Sequence, residues 1–251
     1  MNLTLKFNNK IHKWLSLVVG IQLLIWLGTG AYFNLMDHKL ASGNEHRKHN
    51  QSSQGLSGIQ LMPLKNLDLP VMEKVQLVWV LDKPYYAAHQ KAEPHYYQQQ
   101  DVILFDAQSG YEFKLDKKIA EAVAAASYKG VGDIGGAELL MPPIAELPKQ
   151  ENAVWRIKVA DDNNTHIYVS NNTGRVLAHI NEDRRLRDLM FKLHFMDYAN
   201  KGGFNSTLIM VFAVLTLGLS VTGSIWVIHL LKRRGYRVKL KRKRRLVSSK
   251  V

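Results

Sequence analysis

Two long uncharged runs set the terms for this chain. Trp14 to Met36 passes 23 positions without a charged residue, and Leu208 to Leu231 passes 24. A helix needs roughly 20 mostly apolar residues to cross the hydrocarbon core of a bilayer. Both runs are long enough, and charge bounds both. Lys6, Lys10 and Lys13 precede the first, Asp37 follows it, and Lys232-Arg233-Arg234 closes the second. A secretory signal has a shorter apolar region of about 7–15 residues, with a small-residue cleavage site behind it. Here the first run ends in Tyr32-Phe33-Asn34-Leu35-Met36, so an uncleaved anchor is expected.

The net charge of +13 is concentrated at the ends. Three lysines and no acid precede Trp14; eleven Lys or Arg and no acid follow Leu231. The remainder holds 20 basic and 21 acidic residues. Basic flanks mark the cytoplasmic side of a membrane, so both termini are expected inside and everything between the spans outside. The tail faces anionic headgroups, at about 1 kcal/mol per basic residue near the surface. That accounts for the basicity without nucleic acid. With no cysteine anywhere, disulfides and thiolate chemistry are excluded.

The chain then divides. Residues 1–13 form a cytoplasmic lead, 14–36 the first span, and 37–58 a polar linker without apolar period. Within 59–115 the strand candidates are Val75–Leu81, Pro84–Ala87 and Val102–Phe105, the last running into the turn Asp106-Ala107-Gln108-Ser109-Gly110. Residues 116–183 open with an alanine-rich helix, Lys117 to Tyr128, capped by Asp116, with Ile119, Val123 and Ala126 as its apolar stripe. The glycines at 130, 132, 135 and 136 read as its stop and connection. Strands are expected at Ala137–Met141, Ala153–Ala160, His166–Ser170 and Arg175–His179. The turns at 105–111 and 169–175 repeat at a spacing of 64 residues, which suggests two related halves. Residues 184–205 are amphipathic and suit the outer membrane surface. The second span, 206–231, and the basic tail, 232–251, follow. Small and polar residues on each span (Ser16, Gly20 and Gln22; Thr216, Ser220 and Ser224, beside Gly223) suit close packing of the two helices or a homodimer.

Three segments together resemble the PepSY-associated transmembrane family. They are Ile11-His12-Lys13-Trp14-Leu15 with Gly20 and Gly28-Thr29-Gly30; Trp155 to Leu177, with its closing T-G-x-V turn; and Leu193-His194-Phe195 ahead of the last span. Asn171 stands where the family's turn usually has Asp, and residues 37–69 are unmatched. The resemblance implies a membrane α+β architecture: two transmembrane helices flanking a periplasmic PepSY-like domain, an antiparallel sheet with a packed helix. Residues 59–115 are then a degenerate half and 116–183 a complete unit. It implies a bacterial inner-membrane location, a link to iron uptake, and a protein partner there. Larger relatives look like haem-bearing ferric-siderophore reductases, and PepSY domains elsewhere restrain peptidases.

Four histidines sit at the span boundaries: His12 and His229 inside, His38 and His194 outside. Neutral imidazoles on facing helices are axial ligands for haem b, with His12 and His229 as one pair and His38 and His194 as a second. The plainer reading, that they are interfacial side chains like Trp14 and Lys232, is preferred. His12 and His38 are 26 positions apart, about 39 Å along a helix, too far for direct electron exchange. His46, His49, His89 and His95 read as solvated loop residues, since Arg47 and Lys48 between the first two repel a metal cation. Asp82, Glu93 and Asp101 show no fixed geometry. Tyr85, Tyr86, Tyr96 and Tyr97 read as core or sheet-edge packing before a siderophore- or peptide-binding surface. No nucleophile-and-base pattern and no phosphate-binding glycine loop is found, so the favoured function is a non-catalytic accessory or binding role.

Overall fold

A computed structural model describes residues 3–48, 58–67, 69, 71–90, 95, 97–99 and 101–248, with backbone alone for 3–6 and 233–248. His49, Glu93 and Tyr96 lie outside the described residues. The chain forms two units: Met1–Asn34 with Phe191–Tyr198 and Gly203–Val251, and Leu35–Met190 with Ala199–Gly202.

The helical unit is built on α1 (Leu3–Leu35) and α5 (Thr207–Ser248). Stretches Phe7–Leu35 and Thr207–Lys232 are long and apolar enough to cross a membrane. The lead expected at 1–13 is therefore largely helix, because nothing from Leu3 to Lys13 is glycine or proline and no break separates it from the apolar run. Likewise the tail continues α5 to Ser248 instead of leaving the helix at Lys232. The helices run antiparallel: His12 lies against Thr222 and Gly223, and Leu15 against Gly218. On α1 the packed residues are His12, Leu15, Val19, Gln22, Trp26, Thr29 and Phe33, which alternate steps of three and four. That 3.5-residue period is a coiled-coil seam.

The packed face of α5 differs from the one read in sequence. Ser220 and Ser224 point outward, and Thr222 and Gly223 point in. Thr216, Ser220 and Ser224 each donate to the carbonyl four residues back, so their hydroxyls have a partner without a second helix. A hydroxyl satisfied within its own helix needs no partner helix. Ser16 is likewise outward, bonded to the His12 carbonyl.

The second unit holds two four-stranded antiparallel sheets of the same simple order. The first is β1 (Lys74–Val80), β2 (Lys83–His89), β3 (Val102–Asp106) and β4 (Glu112–Phe113); the second is β5 (Asp133–Leu140), β6 (Val154–Ala160), β7 (His166–Ser170) and β8 (Val176–Ile180). Between them in sequence runs α3 (Lys117–Ser127), its first turn capped by Asp116, which accepts from the Ile119 N–H. One cluster joins Val80, Tyr85, Ala87 and Leu104 of the first sheet, Ala120, Val123 and Ala124 of α3, and Ile157, Val159, Ile167 and Val169 of the second sheet. Ala124, not Ala126, completes the buried stripe of α3. The opposite face of the first sheet is covered by Leu61, Met62, Leu67 and Met72, and that of the second by Ile144 and Leu147. Hence β2 and β7, covered on both faces, carry the longest continuous runs of buried residues.

The two halves share their closing turn atom for atom. Gly110 N–H donates to the Asp106 carbonyl and Asp106 N–H to that of Tyr111; Gly174 and Ser170 make the same bonds, with Ser170 and Arg175 as acceptors. Both glycines take positive φ, +77° and +66°. Asp106 Oδ1 accepts from Ser109 N–H, and Ser170 Oγ from Thr173 N–H at the equivalent place. Asn171 instead accepts from Trp155 Nε1 at 2.9 Å.

Three boundaries depart from expectation. Strand β5 begins at Asp133, so Gly135 and Gly136 lie within it, at a bulge, instead of in a connection. Strand β4 has only two residues, too few for a sequence period. Residues 37–48 are no linker. Asp37 caps the short helix α2 (His38–Ala41), Arg47 bridges to Tyr128, and Lys48 N–H donates to Ser127. The amphipathic segment is α4 (Glu182–His194), opened by Asn181, whose side chain accepts from Arg184 N–H.

Candidate functional site

The seam of the helical unit carries two matching imidazole–hydroxyl pairs. His12 Nδ1 lies 3.0 Å from Thr222 Oγ1, and His194 Nδ1 lies 2.8 Å from Thr29 Oγ1. Each threonine already donates its single hydroxyl hydrogen to its own helix: Thr222 to Gly218 and Leu219, Thr29 to Ile25 and Trp26. With that hydrogen on the backbone, the oxygen accepts from the ring in the tautomer that carries its proton on Nδ1 and leaves the Nε2 lone pair free. That is the orientation of a metal-ligating histidine, whose other nitrogen is held by a hydrogen bond.

Each pair sits in a built surrounding. Gly223 admits His12, because a Cβ there would stand 3.1 Å from the ring's Cε1. The Trp226 ring is 6.3 Å away, and Asn8 donates to the Thr222 carbonyl. Around His194 stand Phe33 at 5.5 Å, Phe195 at 5.1 Å and Trp26 at 6.5 Å. Trp26 Nε1 donates to the His194 carbonyl at 2.7 Å, and the buried Gln22 amide reaches that of Leu193.

The other sequence candidates fall differently. His229 is half-buried on the stripe of Thr222 and Trp226, but seven residues beyond Thr222, about 10.5 Å along the axis. Because the helices are antiparallel, that offset carries it away from His12, and the structure does not bring the two together. His38 is exposed on α2 in the sheet unit, whereas His194 belongs to the helical unit. His46 packs edge-on against Tyr128, and His95 stacks on Tyr97. His89, expected in a loop, is buried at the end of β2 because that strand is covered on both sides. Tyr85 and Tyr86 are core residues. Among the described residues no three His, Asp or Glu side chains converge to hold a metal ion.

The sheet unit has two polar clusters that sequence reading missed. Glu146 accepts from Tyr168 Oη and His166 Nδ1 through Oε2, and from Arg185 Nε through Oε1, at 2.6, 3.1 and 2.6 Å. Burial alone would raise its pKa, but these three donors outweigh it and bring it down to about 2. The second cluster is His179, fully buried, with Nε2 3.0 Å from Ser127 Oγ. Ser127 donates to the Ala124 carbonyl, so the imidazole is the donor and its Nδ1 is left without a partner. Burial, then the charges of Arg47, Arg184 and His46, push His179 down to about 4. This serine–imidazole contact is no nucleophile and base: the hydroxyl hydrogen is committed to the backbone and the ring is sealed from solvent.

The threonine partners had a signal in the sequence. The 3-4 spacing from His12 to Phe33 places Thr29 on the histidine's own stripe. His179 had none, because a single histidine in an alternating strand is silent about depth.

No curated protein and no solved structure matches the chain. The family model for the PepSY-associated TM region matches residues 9–249, nearly the whole length, and the chain belongs to that family.

Proposed function

We propose that this protein is a two-pass inner-membrane component with both ends in the cytoplasm, its sheet unit in the periplasm, and a non-catalytic accessory role in iron uptake. Family membership across 9–249 supports the membrane placement, and the charge at both ends supports the sidedness. The accessory role rests on how the polar groups of the sheet unit are used. Glu146, Asp161 and Ser127 are each spent on holding loops and strands together. A protein partner and anionic lipid at the basic tail complete this reading. α4 lies along the outer membrane surface, and exposed Leu186 and Leu189 suit that position. Growth of a deletion strain on a ferric siderophore as sole iron source tests it. Growth equal to the parent's would overturn the iron link.

A second reading is favoured by one observation, the threonine hydroxyl held against Nδ1 of His12 and of His194, which leaves each Nε2 to act as a ligand. Both fit as axial ligands of haem b, which would supply one-electron transfer toward a ferric substrate. Along α1, His12 and Thr29 are 17 residues apart, about 25 Å, so the two imidazoles would serve separate haems. A Soret band in protein expressed with ample haem, weakened by either His12→Ala or His194→Ala, is the expected result. Its absence removes this reading and leaves the first standing.

A further inference from the structure

We propose that residues 41–48 form an acid-released strap: protonation of His179, which they cover, drives them off the sheet unit. The strap follows α1 and α2 directly in sequence, and it is held mostly by polar contacts. Arg47 Nη2 donates to the Val176 carbonyl, Lys48 N–H to that of Ser127, and Lys129 N–H to that of His46. Ala41 is its one buried apolar side chain. Gly43, at φ +73°, lies so close that an added Cβ would meet the His179 carbonyl.

The groups around the ring set the direction of the switch. From the strap, Arg47 and His46 act on it through charge, Arg47 from the Val176 carbonyl and His46 from against Tyr128; from α4, Arg184 donates to the His179 carbonyl; from the end of α3, Tyr128 has its ring 6.3 Å away. The acids nearby are engaged elsewhere: Glu45 lies 3.9 Å from His46, Asp188 is 3.8 Å from Arg184, and Asp161 accepts from the Tyr128 hydroxyl. A proton on Nδ1 would find no acceptor and would place an imidazolium among cations. Arg184 stays with α4. Departure of the strap removes Arg47 and His46 together and admits water to the ring. Acid conditions would thus loosen the chain just after it leaves α1.

Hydrogen exchange on the full chain in micelles, at pH 7.5 and 5.0 and corrected for intrinsic rates, tests this. The amides of Lys48 and Lys129, the two that bond across the strap, should lose about 30-fold of their protection at pH 5.0 relative to those of β6 and β7. That factor corresponds to a pKa of about 4 when covered and 6.5 when open. His179→Gln keeps a donor for Ser127 but does not titrate, so its strap should stay protected. Unchanged protection in the natural chain overturns the proposal, whether or not that variant folds. His46→Gln, altered at a partly exposed side chain, must still open. A strap that stays shut without His46 would assign the switch to that residue and overturn it too.

Discussion

His12 Nδ1 lies 3.0 Å from Thr222 Oγ1, joining the third turn of one long helix to the fifth turn of the other. The bond gives the polar ring a partner in an apolar setting, through a hydroxyl whose own hydrogen is turned to the backbone. Interhelical hydrogen bonds within membranes average about 0.6 kcal/mol and reach about 1.7. Thr222→Val keeps the shape and removes the acceptor. We expect it to lower the stability of the helical unit by about 1 kcal/mol, read from thermal unfolding in detergent. Thr29→Val should do the same through His194.

Close approach sets the other half of this contact. Gly223→Ala places a methyl 3.1 Å from His12 Cε1, which a small ring movement absorbs; Gly223→Leu cannot be absorbed. Cysteine cross-linking between engineered Asn8→Cys and Thr222→Cys should survive the alanine and fall severalfold with the leucine.

A turn offers a gain. Leu81 holds φ at +55° in the two-residue loop joining β1 to β2, a conformation that crowds a side-chain Cβ against its own backbone. The side chain is exposed, so little packing is lost by removing it. Leu81→Gly should raise stability by about 1 kcal/mol in denaturant unfolding.

The way this fold is written in its sequence explains what was and was not legible. The spans, the Asp116-capped helix and strands such as β7 are local patterns and read directly. The paired turns at 106–110 and 170–174 announced themselves because a positive-φ glycine after a short polar run is a local requirement. The strap at 41–48 looks like part of a linker in the sequence because its anchors, Val176 and Ser127, lie 129 and 79 positions away from Arg47 and Lys48, and no period records them. The α5 face was misassigned for the opposite reason. A row of hydroxyls suggests a partner, yet intrahelical bonds satisfy Thr216, Ser220 and Ser224 and inward-facing Thr222 alike, so the hydroxyl pattern does not mark the packed face. Among the candidate histidines, position in the chain located the helix ends, whereas the antiparallel offset that separates His229 from His12 is a tertiary fact.

The alanines of α3 pack on the second sheet, in a cluster shared with residues of the first, and their smallness is what the space allows. Ala120 and Ala124 are fully buried in the cluster that contains Tyr85, Leu104, Ile157 and Ile167. Ala124→Leu adds three carbons where none fit. Overpacking of this kind costs about 1–3 kcal/mol, and the expected reading is a lowered denaturant midpoint with the membrane helices unaffected in far-ultraviolet dichroism.

Acid stability should report Glu146. Its carboxylate is held in the folded chain at about 2, below its ordinary value near 4.5, by Arg185, His166 and Tyr168. A carboxyl group depressed on folding stabilises most above its unfolded pKa. That contribution fades as pH falls from about 4.5 to about 2, where the folded carboxylate finally takes its proton. At pH 7 it amounts to about 3 kcal/mol, the distance from 4.5 to about 2 converted at 1.36 kcal/mol per unit. Glu146→Gln should therefore destabilise the sheet unit by that amount at pH 7, and by progressively less toward pH 2. Unfolding measured across that range should bring the two curves together at the acid end. Parallel curves would mean that the three donors do not depend on the charge of residue 146.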